Sequence, residues 1–278
     1  MSEAGPIELN VRKVLSERLG KRARFIPGFV KTGLEKLICQ REMNALLAGN
    51  YPARGAEFCR GVLRDLDVSL RVEGAEHLPA SPRCMIVSNH PLGGLDGISM
   101  IAWLSEHYGG RNVHFVVNDL LMAIEPLREC FVPVNKHGSQ SRSAMTALDE
   151  ALAGPDPVVI YPAGLVSRLG TDGRIADLEW RKMFVNKAIE SGRPIVPVYF
   201  DGTNSRSFYK LANLRKKSGI KFNVEMILLP REVFRARGRV FTLRCGAPLM
   251  PEDLGAKTDS AATALKIRNI VYDLNTAR

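Results

Sequence analysis

No apolar run in the 278-residue sequence reaches the length of a membrane span, which excludes a bilayer-crossing helix. The five cysteines, Cys39, Cys59, Cys84, Cys130 and Cys245, are scattered and odd in number. They form neither a metal-ligand spacing nor a disulfide framework, so reduced thiols and a cytoplasmic location are expected. His77, His90, His107, His114 and His137 show no ligand pairing, and no metal is expected. A Gly-x-Ser-x-Gly turn is missing, which argues against a serine hydrolase. Helix-turn-helix, zinc and RNA-binding signatures are missing too, so nucleic acid is not the expected partner. The opening Met1-Ser2-Glu3-Ala4-Gly5-Pro6 reads as neither a signal peptide nor a lipidation site. There is no internal repeat and no low-complexity tract.

What the chain does have is positive charge. Lys and Arg number 39 against 29 Asp and Glu, for a net charge of +10 and a pI of about 9.6. That balance favours an anionic partner: lipid headgroups, an acidic carrier protein or nucleic acid. Charge alone does not choose among them. With 45% hydrophobic and 24% charged residues, the composition is that of a globular protein of one large domain, or one domain with an appendage.

The first sixty residues read as basic helices. Val11 to Leu19 has helical spacing, Pro27-Gly28 breaks the pattern, and Val30 to Leu47 reads as a second helix. Apolar faces with basic flanks suit either a membrane interface or a cap over the next domain. From Val68 the pattern changes to strands: Val68–Val72, Cys84–Val87, Val113–Val117, Phe131–Val134, Val158–Tyr161, Ile195–Phe200, Phe222–Leu229 and Val240–Cys245. Helices are expected between them at Ile98–Glu106, Leu120–Leu127, Ser141–Leu152, Trp180–Glu190 and Ser207–Lys217, with a last one from Ser260 to Leu274. The implied fold is α/β: a central mixed, largely parallel sheet flanked by helices, with an N-terminal basic helical region. The expected division is a helical region over 1–65, an α/β domain over 66–250 and a helical tail over 251–278.

Four strand exits carry the chemistry. The first is Ser88-Asn89-His90-Pro91-Leu92-Gly93-Gly94-Leu95-Asp96-Gly97, between a buried strand and a buried helix. Glycines allow a tight turn that can bring Asp96 back to His90, fixing the tautomer and leaving the other ring nitrogen as a general base. Asp96 can equally serve as a helix cap. The second is Tyr161-Pro162-Ala163-Gly164-Leu165-Val166-Ser167-Arg168, a sharp turn carrying an arginine able to hold a carboxylate or phosphate. The third, Phe131-Val132-Pro133-Val134-Asn135-Lys136-His137-Gly138, offers Lys136 as a second anion contact. The fourth, Pro194 to Ser205, is a strand with two prolines, expected near an edge or at a bulge.

As an ordered set over roughly Leu66 to Pro248, these segments resemble the 1-acylglycerol-3-phosphate acyltransferase family. Its pattern is a His/Asp motif, a basic motif, a Pro-Glu-Gly-Thr-Arg-like motif and a Val-Pro-Val-like strand. Two departures stand out. Five residues separate His90 from Asp96 where four are usual, and Ala163 and Leu165 replace the usual glutamate and threonine. In these departures the chain is more similar to the branch that makes amino-acid lipids such as ornithine or glycine lipids. The resemblance implies O-acylation of the 3-hydroxyl of an N-(3-hydroxyacyl) amino acid, at the inner face of a membrane. The acyl donor would be a thioester on acyl carrier protein or coenzyme A, with no cofactor. His90 and Asp96 become the catalytic candidates. Asn89, Gly93, Gly94, Lys136, Gly164, Ser167 and Arg168 become candidates for substrate binding. The basic cluster Arg215, Lys216, Lys217 and Lys221 offers a surface for an anionic donor. The competing readings are a lysophosphatidic acid acyltransferase and a non-catalytic basic membrane-binding protein.

Overall fold

In the computed structural model, which describes residues 8–134 and 140–276, seven strands build one sheet. They are β1 (Ser69–Glu73), β2 (Met85–Ser88), β3 (His114–Val117), β4 (Phe131–Pro133) and β5 (Val158–Ile160), completed after a small hairpin by two more. The hairpin pairs β6 (Arg168–Leu169) with β7 (Ile175–Ala176), and β8 (Ile195–Asp201) and β9 (Val240–Cys245) follow. The spatial order is β1-β9-β8-β2-β5-β3-β4. Every neighbouring pair is parallel except β8 with β9. The sheet is therefore mixed and largely parallel, as the strand–helix alternation implies. The strand ends that carry His90 and Tyr161 lie side by side, because β2 pairs with β5.

The helices are α1 (Val11–Leu19), α2 (Gly28–Leu37), α3 (Gln40–Gly49), α4 (Gly55–Asp65), α5 (Leu95–His107), α6 (Gln140–Ala153), α7 (Met183–Ser191), α8 (Arg206–Lys217), α9 (Leu229–Arg235) and α10 (Ser260–Asp273). They cover both faces of the sheet. Alternate residues of β2 enter opposite cores: Ile86 packs with Val62 and Leu104, whereas Met85 and Val87 pack with Leu148, Phe184 and Ile267. Burial on both faces is why these strands read as unbroken apolar runs. The flanking helices α4 and α10 each add buried residues to these cores, Phe58, Cys59 and Val62 on one side and Ala264, Ile267 and Val271 on the other.

A buried arginine pins the lower end of the sheet. Arg193 is fully buried, and its guanidinium donates to the carbonyls of Leu152, Ala151, Gly154, Cys84 and Asp156 at 2.6–3.1 Å. Three of these close the end of α6, where a cation is favoured by the helix dipole. Burial pushes its pKa down to about 10, so it stays charged at neutral pH.

Several elements differ from the sequence expectation. The helix expected over Val30–Leu47 is split into α2 and α3 by Cys39, whose backbone is left-handed at φ 52. Leu120–Leu127 is not an α-helix but lies in two 3₁₀ turns, Asp119–Ala123 and Glu125–Cys130, with Pro126 opening the second. The strand expected over Phe222–Leu229 is instead a 3₁₀ turn, Val224–Leu228, leading into α9. Glu225 in that turn is pulled inward to two arginines, and Pro230 suits the first turn of a helix. Pro197 lies in a central strand, not at an edge. The pairing register slips by one residue between Val198↔Cys245 and Ile195↔Leu249. The extra residue lies in the partner segment after Gly246, whose N–H still pairs with Pro197 O, so the bulge adjoins the proline-bearing strand and is not in it. Among the described residues no helix is long and apolar enough to cross a membrane. The basic N-terminal helices do leave Phe25 and Phe29 largely exposed.

Candidate active site

At the end of β2 the side chain of Asn89 takes over the sheet pairing. Its Nδ2 donates to Phe200 O at 3.0 Å and its Oδ1 accepts from Phe200 N at 2.7 Å. The amide is thus committed to β8 and holds the strand exit in place instead of reaching a substrate. The chain then turns through Pro91 to Gly94 before α5 begins. Gly93 has φ +86, and a Cβ there would lie 2.7 Å from Val166 Cγ2 and 2.8 Å from Leu229 Cδ1. Gly93→Ala is therefore expected to lower the unfolding free energy by roughly 2 kcal/mol, read as a lower thermal midpoint.

That turn brings Asp96 to His90. Asp96 is fully buried, and its Oδ2 accepts from His90 Nδ1 at 2.9 Å, Leu92 N at 2.9 Å and Gly93 N at 3.2 Å. Of the two sequence readings of Asp96, orientation of the imidazole holds and the helix cap does not. α5 begins at Leu95 with Gly94 as its cap, so Asp96 lies inside the first turn and its carboxylate reaches back to the preceding turn. Burial opposes the charge of this carboxylate, but His90 and the backbone N–H groups outweigh burial and hold its pKa below the usual range. For His90, burial disfavours the imidazolium, yet Asp96, helped by Asp177, raises the pKa above the ordinary value, with Arg168 opposing. An ionised Asp96 requires the proton on Nδ1, which leaves Nε2 able to accept one. The His90 side chain is 16% exposed, so it is reachable from solvent.

The imidazole has two further neighbours. Its ring stacks on Tyr161, with centroids 4.1 Å apart and planes 22° from parallel. The Tyr161 hydroxyl is buried with no hydrogen-bond partner among the described residues. Asp177, which sequence reasoning missed, holds the backbone. Its Oδ1 accepts from His90 N at 3.1 Å and from Ser167 Oγ at 2.5 Å, and its Oδ2 accepts from Trp180 Nε1 at 3.0 Å. Burial raises the pKa of Asp177 in spite of these donors. Ser167 also donates its N–H to His90 O at 2.8 Å. Ser167 thus stands beside His90 as expected, with its hydroxyl occupied by Asp177. Gly164 makes the sharp turn, at φ +62, with its N–H on Tyr161 O at 2.9 Å.

Arg168 is close enough for its charge to act on His90, but it is not a loose surface arginine. One Nη donates to Glu225 Oε1 at 2.8 Å and the other to the carbonyls of Val166 and Ser167. Glu225 is fully buried, and Arg215 Nε lies 2.9 Å from its other oxygen. Arg215 therefore belongs to this internal triad, not to the free basic surface expected of it. The triad keeps one net positive charge beside the His90 turn. Ala163, at the position of the missing glutamate, is buried in the apolar core under α6 and α7. Lys136 lies outside the described residues.

On the other side of the His90 turn is a cavity of about 340 Å³. Leu92, Leu95, Val233 and Ala236 supply apolar walls, with Arg235 and Arg239 among the lining residues. The sheet order puts β8 and β5 on opposite sides of β2. Arg168 follows β5, whereas its triad partners Arg215 and Glu225 come from the stretch between β8 and β9 that also lines most of the cavity, where Glu232 stands 3.5 Å from Arg235.

Residues 13–277 match the family model described as Acyltransferase. A lyso-glycine lipid O-acyltransferase of Phocaeicola vulgatus is 39% identical over 266 residues, covering 96% of this chain and 95% of that protein. Another protein of that name, from Bacteroides thetaiotaomicron, is 38% identical over 266 residues, covering 96% and 97%. Among solved structures, the 1-acyl-sn-glycerophosphate (LPA) acyltransferase PlsC from Thermotoga maritima aligns over 96% of this chain and 98% of its own. Its identity is 16% and its TM-score 0.48.

Proposed function

The chain belongs to the acyltransferase family, and we propose that it moves a fatty acyl group from a thioester to the hydroxyl of a lyso-lipid. The proposed acceptor is the 3-hydroxyl of an N-(3-hydroxyacyl) amino acid. The observation that carries this reading is the buried His90–Asp96 pair, which leaves Nε2 as a proton acceptor. Relatives named for lyso-glycine lipid favour glycine over ornithine as the headgroup. Ala163 in place of the usual glutamate argues against a glycerol-phosphate acceptor, and the cationic Arg168 triad suits a carboxylate.

In this mechanism His90 Nε2 takes the acceptor hydroxyl proton as the oxygen attacks the thioester carbonyl. The tetrahedral intermediate then expels the thiolate, which recovers that proton from His90, giving the O-acyl ester and a free thiol. The developing oxyanion needs preorganised donors. Gly93 N–H is already given to Asp96, so the candidates are the N–H groups of Gly94, which caps α5, and of Leu95 and Asp96 in its first turn, for which a helix offers no internal acceptor. The amphipathic cavity with Arg235 and Arg239 supports a phosphate-bearing thioester donor, acyl carrier protein or coenzyme A.

The test offers purified protein acyl carrier protein and coenzyme A thioesters with three acceptors: N-(3-hydroxyacyl)glycine, N-(3-hydroxyacyl)ornithine and lysophosphatidic acid. Product from the amino-acid lipids, fastest with glycine, is expected. Product from lysophosphatidic acid alone overturns the acceptor assignment.

A further inference from the structure

After β8 the chain makes an arm, α8 followed by the turn Val224–Leu228, whose inner side is fixed. Phe208, Tyr209 and Leu228 are buried with Val166 in a small core of their own. The outer side carries large apolar groups into solvent: Leu214 is 61% exposed and Phe222 77%, with Ile220 and Ile227 also exposed. Single exposed apolar residues are ordinary, but four within one short segment are a contact surface in search of a partner. Lys210, Lys216, Lys217 and Lys221 are exposed in the same segment. Its one acidic residue, Glu225, is buried, so no negative charge of the segment faces outward.

Apolar side chains ringed by lysines match a surface that is oily inside and anionic outside. An acidic protein would meet the lysines but leave Phe222 and Leu214 without hydrocarbon. The arm is also linked inward, because Glu225, which lies in the chain between the exposed Ile220 and Ile227, is ion-paired to Arg168 at 2.8 Å.

We propose that the segment Arg206–Leu228 is a lipid-docking arm that rests on an anionic bilayer, and that buried Glu225 sets the position of Arg168 relative to that bilayer. An acceptor could then keep its chains in the membrane while its headgroup meets the arginine. That last consequence rests on the lyso-lipid reading above; the docking itself does not.

The test is co-sedimentation of the full chain with phosphatidylcholine vesicles, with and without phosphatidylglycerol, at low and high salt. Wild type is expected to bind the anionic vesicles, and to bind less at high salt. Leu214→Ser with Phe222→Ser is expected to weaken that binding at least about tenfold, since two exposed apolar anchors are lost. Both positions are solvent-exposed, so the thermal midpoint is expected to stay within a few degrees of wild type. Lys216→Glu with Lys217→Glu is expected to abolish the preference for anionic vesicles. Unchanged vesicle binding by the Ser variant overturns the proposal. So does a Ser variant that loses binding to an acidic acyl carrier protein but keeps its vesicles. Sedimentation needs no turnover, so failure of the proposed acceptor leaves the docking result readable, and failure of docking leaves the acceptor assay readable.

Discussion

His90→Ala is expected to reduce acyl transfer about a thousandfold while the protein stays folded. The loss follows from removing the one nitrogen placed to take the acceptor proton. The fold survives because the rest of the turn does not depend on the imidazole. Asp96 keeps the N–H groups of Leu92, Gly93 and Gly97, and the backbone of residue 90 keeps Asp177 and Ser167 N–H. One lost side-chain hydrogen bond and one lost ring stack amount to roughly 1–2 kcal/mol. The pH profile supplies a second readout. The neutral imidazole is the active form, and burial, overcome by Asp96, leaves its pKa above the ordinary value. The rate is therefore expected to climb through a pH above about 6.5. Asp96→Asn removes the charge that raises it, so the acid limb should move to lower pH while the maximum rate falls. Stability runs the other way. The His90–Asp96 pair contributes fully below the ordinary histidine pKa and loses the imidazolium contribution as pH rises through the raised one.

Glu225→Ala is expected to be the most destabilising change near the site, at about 3–5 kcal/mol in denaturant unfolding. Glu225 is completely buried between Arg168, which is 11% exposed, and Arg215, which is 16% exposed. Removing the carboxylate leaves two like charges facing each other in a poorly hydrated space. Burial already depresses the Arg168 pKa, with Glu225 the chief opposing influence. Glu225→Gln keeps the volume and two hydrogen-bonding atoms and should cost less. Both variants should also raise the acceptor KM, because Arg168 loses its anchor. A Glu225→Ala protein as stable as wild type, with unchanged acceptor KM, would remove the triad from the description of the site.

The parts of the site legible in the sequence are those written locally. Ile86-Val87 before His90, the glycines after it and the apolar run from Ile98 define a strand, a turn and a helix, which is enough to bring Asp96 back to the ring. Tyr161-Pro162-Ala163-Gly164 marks the neighbouring strand exit for the same reason. Asp177 and Glu225 were not legible, because their partners come from other segments. Glu225 even sits in Phe222-Asn223-Val224-Glu225-Met226, whose alternation reads as a half-buried strand. The inward pull of two arginines overrides that pattern. The β6–β7 hairpin did have a signal, Asp172-Gly173, where Asp172 Oδ1 accepts from Arg174 N at 3.0 Å. The break at Cys39 had none, since neither glycine nor proline stands there. Asn89 and Ser167 show the limit of motif reading: both stand where expected, yet their polar atoms hold β8 and Asp177.

The most direct measurement is transfer of a labelled acyl group from acyl carrier protein to N-(3-hydroxyacyl)glycine by wild type and by His90→Ala, each with its thermal unfolding recorded. The expected result is O-acylated product with wild type and next to none with a variant that melts normally. Product formed at a comparable rate by the folded variant would contradict the assignment of His90 as the base.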